Sequence, residues 1–200
     1  MLPNKLTSLR AATDNLMQII NTENIYIALI QESYVCQNRI KCITRSYRTY
    51  AYGEDKSRAA IIIPNDTIGA IMITQCSDNN MVISEIKMGQ ETFYAASAYM
   101  EFNDAMENSF KKIERILEFT KGVKIIMTID SNSRSTLWHD VTTNARGILL
   151  EEFVASSQLH IINKESPMTT FHSSRGQSNI DITITDKKML AAIENWEISE

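Results

Sequence analysis

Lys124-Ile125-Ile126-Met127-Thr128-Ile129-Asp130-Ser131-Asn132-Ser133-Arg134 is the stretch on which the reading of the whole chain turns. An apolar run enters a polar turn, as a core strand does when it emerges from a sheet, and ligands bind where such strands end. Asp130 and Asn132, two residues apart just past the strand, can face one cleft and hold an oxygen-seeking metal or a phosphate. The competing reading is a solvated turn closed by an Asx hydrogen bond. The rest of the chain has to decide between them.

Two hundred residues with 44 % hydrophobic content fit one sizeable α/β domain with its own core. The sequence shows no repeats, low-complexity runs or linkers, and its apolar runs are far shorter than the roughly 18 residues of a membrane span. Met1-Leu2-Pro3-Asn4-Lys5 lacks the apolar core of a signal peptide. Cys36, Cys42 and Cys76 are odd in number without C-x-x-C spacing, which suits reduced thiols in an intracellular protein. His139, His160 and His172 show no zinc-ligand spacing.

A net charge of −4 and a pI near 5.5 argue against a generally basic nucleic-acid coat. Residues 36–60 are the exception. Arg39, Lys41, Arg45, Arg48, Lys56 and Arg58 face only Glu54 and Asp55, a local charge of +4, and Tyr47, Tyr50 and Tyr52 lie among them. Basic residues interleaved with aromatics suit a phosphate backbone and stacked bases, with Arg45 and Arg48 as candidate contacts. A solvated hairpin with inward tyrosines is the alternative.

Working outward, residues 8–21 place Leu9, Ala12, Leu16, Ile19 and Ile20 at helical spacing. Residues 24–30, 59–63, 68–74, 81–87 and 92–99 read as strands, and their short connections indicate antiparallel pairing. Asn103 or Asp104 caps a helix to about Thr120, with Phe110, Ile113, Ile116 and Leu117 inward and Gly122 as the stop. A second helix spans about 145–157. Strands follow at 159–162, 169–171 and 180–185, then a short helix capped by Asp186 and one more strand beginning at Trp196. This order predicts two antiparallel-rich sheets packed together with helices outside.

Polar residues gather at the strand ends: Glu32, Tyr99, Asp130, Asn132 and Asp181. Neighbouring strands of common direction would bring them to one site. Carboxylates favour Mg²⁺, and a divalent ion beside Asn and Tyr donors can stabilise charge on a phosphodiester.

Gln31-Glu32-Ser33, Ser97-Ala98-Tyr99-Met100, Ile129-Asp130-Ser131-Asn132-Ser133-Arg134, Trp138, Asn144-Ala145-Arg146-Gly147, Thr170-Phe171 and Arg175-Gly176-Gln177-Ser178-Asn179-Ile180-Asp181 occur in a telling order. In that order and spacing the chain resembles endonuclease domains of non-LTR retrotransposons, in the endonuclease/exonuclease/phosphatase superfamily. The resemblance implies a single α/β (α+β) domain over residues 1–200, a DNase I-like four-layer α/β/β/α sandwich. It implies Mg²⁺- or Mn²⁺-assisted nicking of DNA, with a reverse transcriptase domain of the same polyprotein as partner, at a nuclear location and away from membranes. Glu32 would ligate the metal, Tyr99 contact the scissile phosphate, Asp130 orient the attacking water and Asn132 hold the phosphate. Asp181 would orient a catalytic His. Arg134, Trp138 and Arg175 would lie near a DNA-facing rim.

Two departures from the family pattern bear on activity. The family's first-strand Asn falls at Lys5 here, and Asn4 takes that place only after a one-residue shift, which turns a strand side chain to the opposite face. The family's closing Ser-Asp-His motif is not reached before Ile198-Ser199-Glu200, and none of the three His stands in its place. The implied outcome is a weakly active or inactive chain. A non-catalytic DNA-binding remnant, or a phosphatase or lipid phosphodiesterase of the same fold, are the alternatives.

Overall fold

A computed structural model describes residues 3–32, 35–36, 39–40, 43–53, 57–173 and 176–198. The chain divides into two compact units, Met1–Tyr99 and Met100–Glu200. The first begins with helix α1 (Pro3–Thr22), where Thr13, Met17 and Ile20 are buried at helical spacing and Ala12 is exposed. The inward stripe is therefore rotated from the expected one. Residues 3–5 lie in the first turn of this helix, so the expected remnant of a first strand is instead helical.

Strands β1 (Ala28–Gln31), β4 (Arg48–Ala51) and β5 (Ala59–Ile63) form a three-stranded antiparallel sheet with β5 in the middle. A two-residue pair, β2 (Val35–Cys36) with β3 (Arg39–Ile40), lies between β1 and β4 in the chain. All five residues of β5 are buried, because α1 covers one face through Met17 and Ile20 while a second sheet meets the other. That second sheet runs β6 (Gly69–Met72), β7 (Met81–Met88) and β8 (Glu91–Tyr99), all antiparallel. Ser97 stitches the two sheets: its hydroxyl donates to the Ile30 carbonyl at 2.6 Å and accepts from Gln31 Nε2 at 2.8 Å.

The second unit opens with helix α2 (Met106–Phe119), which buries Met106, Ile113 and Ile116. The Asp104 carboxylate accepts the Ala105 N–H and the Asn108 side-chain amide at its start. Beyond the helix, Gly122 adopts φ +85°, a left-handed conformation that glycine takes without a Cβ penalty. Strand β9 (Ile125–Asp130) follows, then helix α3 (Ala145–Ser156), whose Phe153 ring stacks on Phe110 of α2 with centroids 4.3 Å apart. Strand β10 (His160–Ile161), the hairpin β11 (Phe171–Ser173) with β12 (Gly176–Ser178), strand β13 (Asp181–Thr185) and the short helix α4 (Lys187–Leu190) complete it. β13 lies between β9 and β10, antiparallel to both.

Asp186 caps α4 as expected, accepting from the N–H groups of Lys188 and Met189. Residues 196–198 form no strand; the Trp196 indole instead donates to Thr183 Oγ1 of β13 at 3.2 Å. Among the described residues no helix is long and apolar enough to cross a membrane.

Candidate functional site

In the first unit the polar strand ends assemble around Arg58. β1 finishes with Gln31 opposite Ala59, and Glu32 follows at φ +49° with its N–H donating to the Arg58 carbonyl at 2.7 Å. The Arg58 guanidinium carbon lies 4.8 Å from the centroid of the Tyr99 ring, a cation–π contact. Tyr99 ends β8 and is 9 % exposed; its own N–H donates to the Asn80 carbonyl. Glu32 and Tyr99 are thus each tied to Arg58, which the sequence offered only as one charge in a basic stretch.

Arg48 is not part of this group. It sits opposite Ile63, at the other end of β5 from Ala59, about 13 Å along the strand. Its guanidinium donates to the Asn65 carbonyl at 2.9 Å and also to that of Ile68, so its charge secures a loop. Arg45 is exposed in the turn before β4. Tyr50 is half-buried with its hydroxyl on the Ala70 carbonyl, as an inward-packing hairpin requires. Lys41, Lys56 and the expected DNA contact Arg175 lie outside the described residues.

In the second unit Asp130 closes β9, Asp181 opens β13, and the antiparallel register sets them directly opposite one another. Opposed residues share a face, with Cβ atoms about 4.5–5.5 Å apart. The expected convergence of like strand ends is thereby corrected: one end meets one beginning. Asp130 is 8 % exposed. Beyond it Asn132 adopts φ +48°, which Asn tolerates better than most side chains. Its N–H reaches Asp130 Oδ1 at 3.3 Å, and one of its two amide protons goes to the Met100 carbonyl at 2.9 Å. Met100 in turn donates its N–H to the Asp130 carbonyl at 2.8 Å. The turn is thus an Asx turn and also a constructed one.

The backbone of Asp181 is pinned from behind. Thr170 Oγ1 accepts the N–H groups of Ile180 and Asp181, both at 3.1 Å, and the Thr170 N–H reaches Asn179 Oδ1. Asn179, 6 % exposed, gives its amide to the His139 carbonyl and its backbone N–H to Asp140 Oδ2, both at 2.8 Å. Asp140 Oδ1 takes Nε and Nη2 of Arg134 at 2.9 and 2.8 Å. Trp138, 1 % exposed, donates its indole N–H to the Asn179 carbonyl at 2.9 Å.

The two expected rim residues are both held by partners within the unit. Trp138 offers no ring face to a base, because it is packed inside, and the Arg134 charge is matched by Asp140. Asn179, Asp140 and Thr170 are the positions that sequence reasoning missed as site scaffolding. The only signal for them was their place inside or beside the quoted motifs.

The donors at these strand ends are all oxygens. Mg²⁺ is commonly held by one or two carboxylates with phosphate and water oxygens completing its shell, so Glu32 in the first unit and the Asp130–Asp181 pair in the second are each of a kind that fits such an ion. Among the described residues no three His, Cys, Asp or Glu side chains gather into an all-protein cage.

The family model described as endonuclease-reverse transcriptase matches residues 93–200. The Pol polyprotein of the type-1 retrotransposable element R1 of Bradysia coprophila is 28 % identical over 137 residues, 64 % of this chain. A putative 115 kDa protein in the Drosophila melanogaster element R1DM is 22 % identical over 205 residues, 96 % of this chain. The chain spans 14 % and 20 % of the lengths of these curated relatives. Among solved structures, the endonuclease domain of TRAS1, a telomere-specific non-LTR retrotransposon, superposes with a TM-score of 0.83 at 27 % identity, covering 96 % of this chain and 86 % of that one. The fold is thus the DNase I-like α+β fold expected from the motifs.

Proposed function

The chain belongs to the endonuclease-reverse transcriptase family, and from that premise we propose that it is the endonuclease domain of a non-LTR retroelement. Its reaction would be hydrolysis of a phosphodiester in target DNA, leaving a 3′-hydroxyl that primes reverse transcription. The observation that carries this reading is the facing pair Asp130 and Asp181 with left-handed Asn132 beside them, on a chain similar along 96 % of its length to the TRAS1 endonuclease.

Asp130 orients the attacking water, and the fixed amide of Asn132 and the Tyr99 hydroxyl hold the phosphate. Asp181 would be the carboxylate that orients a catalytic His. Glu32 would hold Mg²⁺ or Mn²⁺, and that ion supplies Lewis-acid stabilisation of charge on the phosphate oxygens. Residues 1–200 are read as one such domain of a longer polyprotein, acting on nuclear DNA beside its reverse transcriptase segment.

None of the three His of this chain is assigned the role of that catalytic His. His139 Nε2 pairs with the Asn163 carbonyl at 3.3 Å, while His160 and His172 occupy exposed strand positions. A general acid or base contributes about 10²–10⁴-fold to rate.

Supercoiled plasmid incubated with Mg²⁺ and this chain should be nicked, and the Asp130→Ala variant should abolish it. Nicking that persists unchanged in the variant overturns the site. Salt-sensitive binding without any nicking would favour the non-catalytic DNA-binding reading.

A further inference from the structure

Within Asn144-Ala145-Arg146-Gly147, the Arg146 side chain makes an unusual set of contacts. It rises from the first turn of α3 and its guanidinium reaches four backbone carbonyls. Nη1 donates to Phe102 and Asp104 at 3.1 and 3.0 Å, and Nη2 to Glu101 and Ser131 at 3.2 and 3.4 Å. These carbonyls belong to two separate segments. Residues 101–104 follow Met100, whose carbonyl receives the Asn132 amide and whose N–H meets the Asp130 carbonyl. Ser131 lies between Asp130 and Asn132. One cation therefore ties together both supports of the turn.

The base of the clamp is fixed as well. Asn144 caps α3 by accepting the Gly147 N–H at 2.8 Å, and the same oxygen accepts the Arg134 N–H at 3.3 Å. The planar guanidinium, with five donors in a fixed fork, suits several carbonyls at once; a lysine ammonium is a point charge with three donors on a flexible stem.

We infer that Arg146 is a positioning residue: it holds the Asp130–Asn132 turn in its working geometry through backbone carbonyls and does not contact DNA. The catalytic part of this inference rests on the endonuclease reading above; the structural part does not.

Arg146→Met and Arg146→Lys separate the two. In Arg146→Met, amide exchange at Met100, Ser131 and Asn132 should rise by at least about tenfold, as expected when a charged hydrogen-bond donor is lost. Exchange in β5 should stay unchanged. In nicking assays kcat should fall about 10²-fold with KM for DNA unaltered, because misplacement of about 1 Å costs that much. Arg146→Lys should recover part of both losses. Unchanged exchange at residues 100 and 131–132 overturns the inference whether or not the parent chain nicks DNA. A rise in KM with kcat preserved overturns it too, by making Arg146 a DNA contact. A parent chain that never nicks defeats the endonuclease reading, and the exchange data still decide the clamp. If Arg146→Met does not fold, the same measurements on Arg146→Lys decide it, with faster exchange at those positions expected.

Discussion

In the body of an ordinary helix, exchanging glycine for alanine stabilises by about 1 kcal/mol. At Gly147 the same exchange should do the opposite. A Cβ there would lie 2.0 Å from the Arg134 carbonyl oxygen and 2.9 Å from its carbon, where ordinary contact begins at 3.4 Å. The oxygen or the helix must therefore retreat by well over an ångström. Neither is free to do so. The Arg134 carbonyl accepts the Asn144 N–H at 3.0 Å, its N–H is held by the Asn144 side chain, and its guanidinium is paired with Asp140. Overpacking costs about 1–3 kcal/mol, and a clash this deep against fixed neighbours belongs at the upper end, about 2–3 kcal/mol. Set against the gain in helix propensity, the net loss is about 1–2 kcal/mol. With a urea slope of roughly 2 kcal/mol/M, the unfolding midpoint should fall by about 0.5–1 M. Fluorescence of Trp138, buried in the same unit, reports the transition. A midpoint equal to or above that of the parent chain would refute the close approach of α3 to residue 134.

Arg58→Met should cost less than about 1 kcal/mol of stability, the scale of an exposed cation–π contact, yet weaken DNA binding and flatten its salt dependence. An unchanged salt slope in anisotropy titrations would remove Arg58 from the candidate site. Tyr94 offers a test by pH. Burial first, then the hydrogen bond from its hydroxyl to Glu85, pushes its phenol above the ordinary 10.0. The associated stability is whole below pH 10, where folded and unfolded chains both keep the proton, and is lost as pH rises through the raised folded value. Urea midpoints should therefore fall less steeply above pH 10 in Tyr94→Phe than in the parent; parallel curves would contradict this.

Much of the fold was legible because its signals are local. Residues 59–63, 81–87 and 92–99 read as strands from uninterrupted or alternating apolar runs, and the observed β5, β7 and β8 match them within a residue. Asp186 and Gly122 marked helix boundaries through chemistry that acts within one turn. What the sequence left open was nonlocal. Trp138 and Arg134 stood in motifs that suggested a surface, but their partners, Asn179 and Asp140, are distant in sequence or reached around a turn. Arg48 shared a basic stretch with Arg58, yet antiparallel pairing sends it to the far end of β5. Composition counts charges along the chain and carries no information about which end of a strand they occupy. Asp130 and Asp181 were found as polar strand ends, while their pairing as one end and one beginning needed the register.

The left-handed backbone at Glu32 has a consequence for how this position is maintained. Glutamate is poorly suited to φ +49°, and a residue held there costs about 1–2 kcal/mol that asparagine or glycine would largely avoid. A sequence drifting toward stability alone would therefore replace Glu32 and remove its carboxylate. On the proposal that Glu32 holds the metal, folding and function pull in opposite directions at position 32. A retroelement copy released from selection for transposition would gain stability there by discarding the charge.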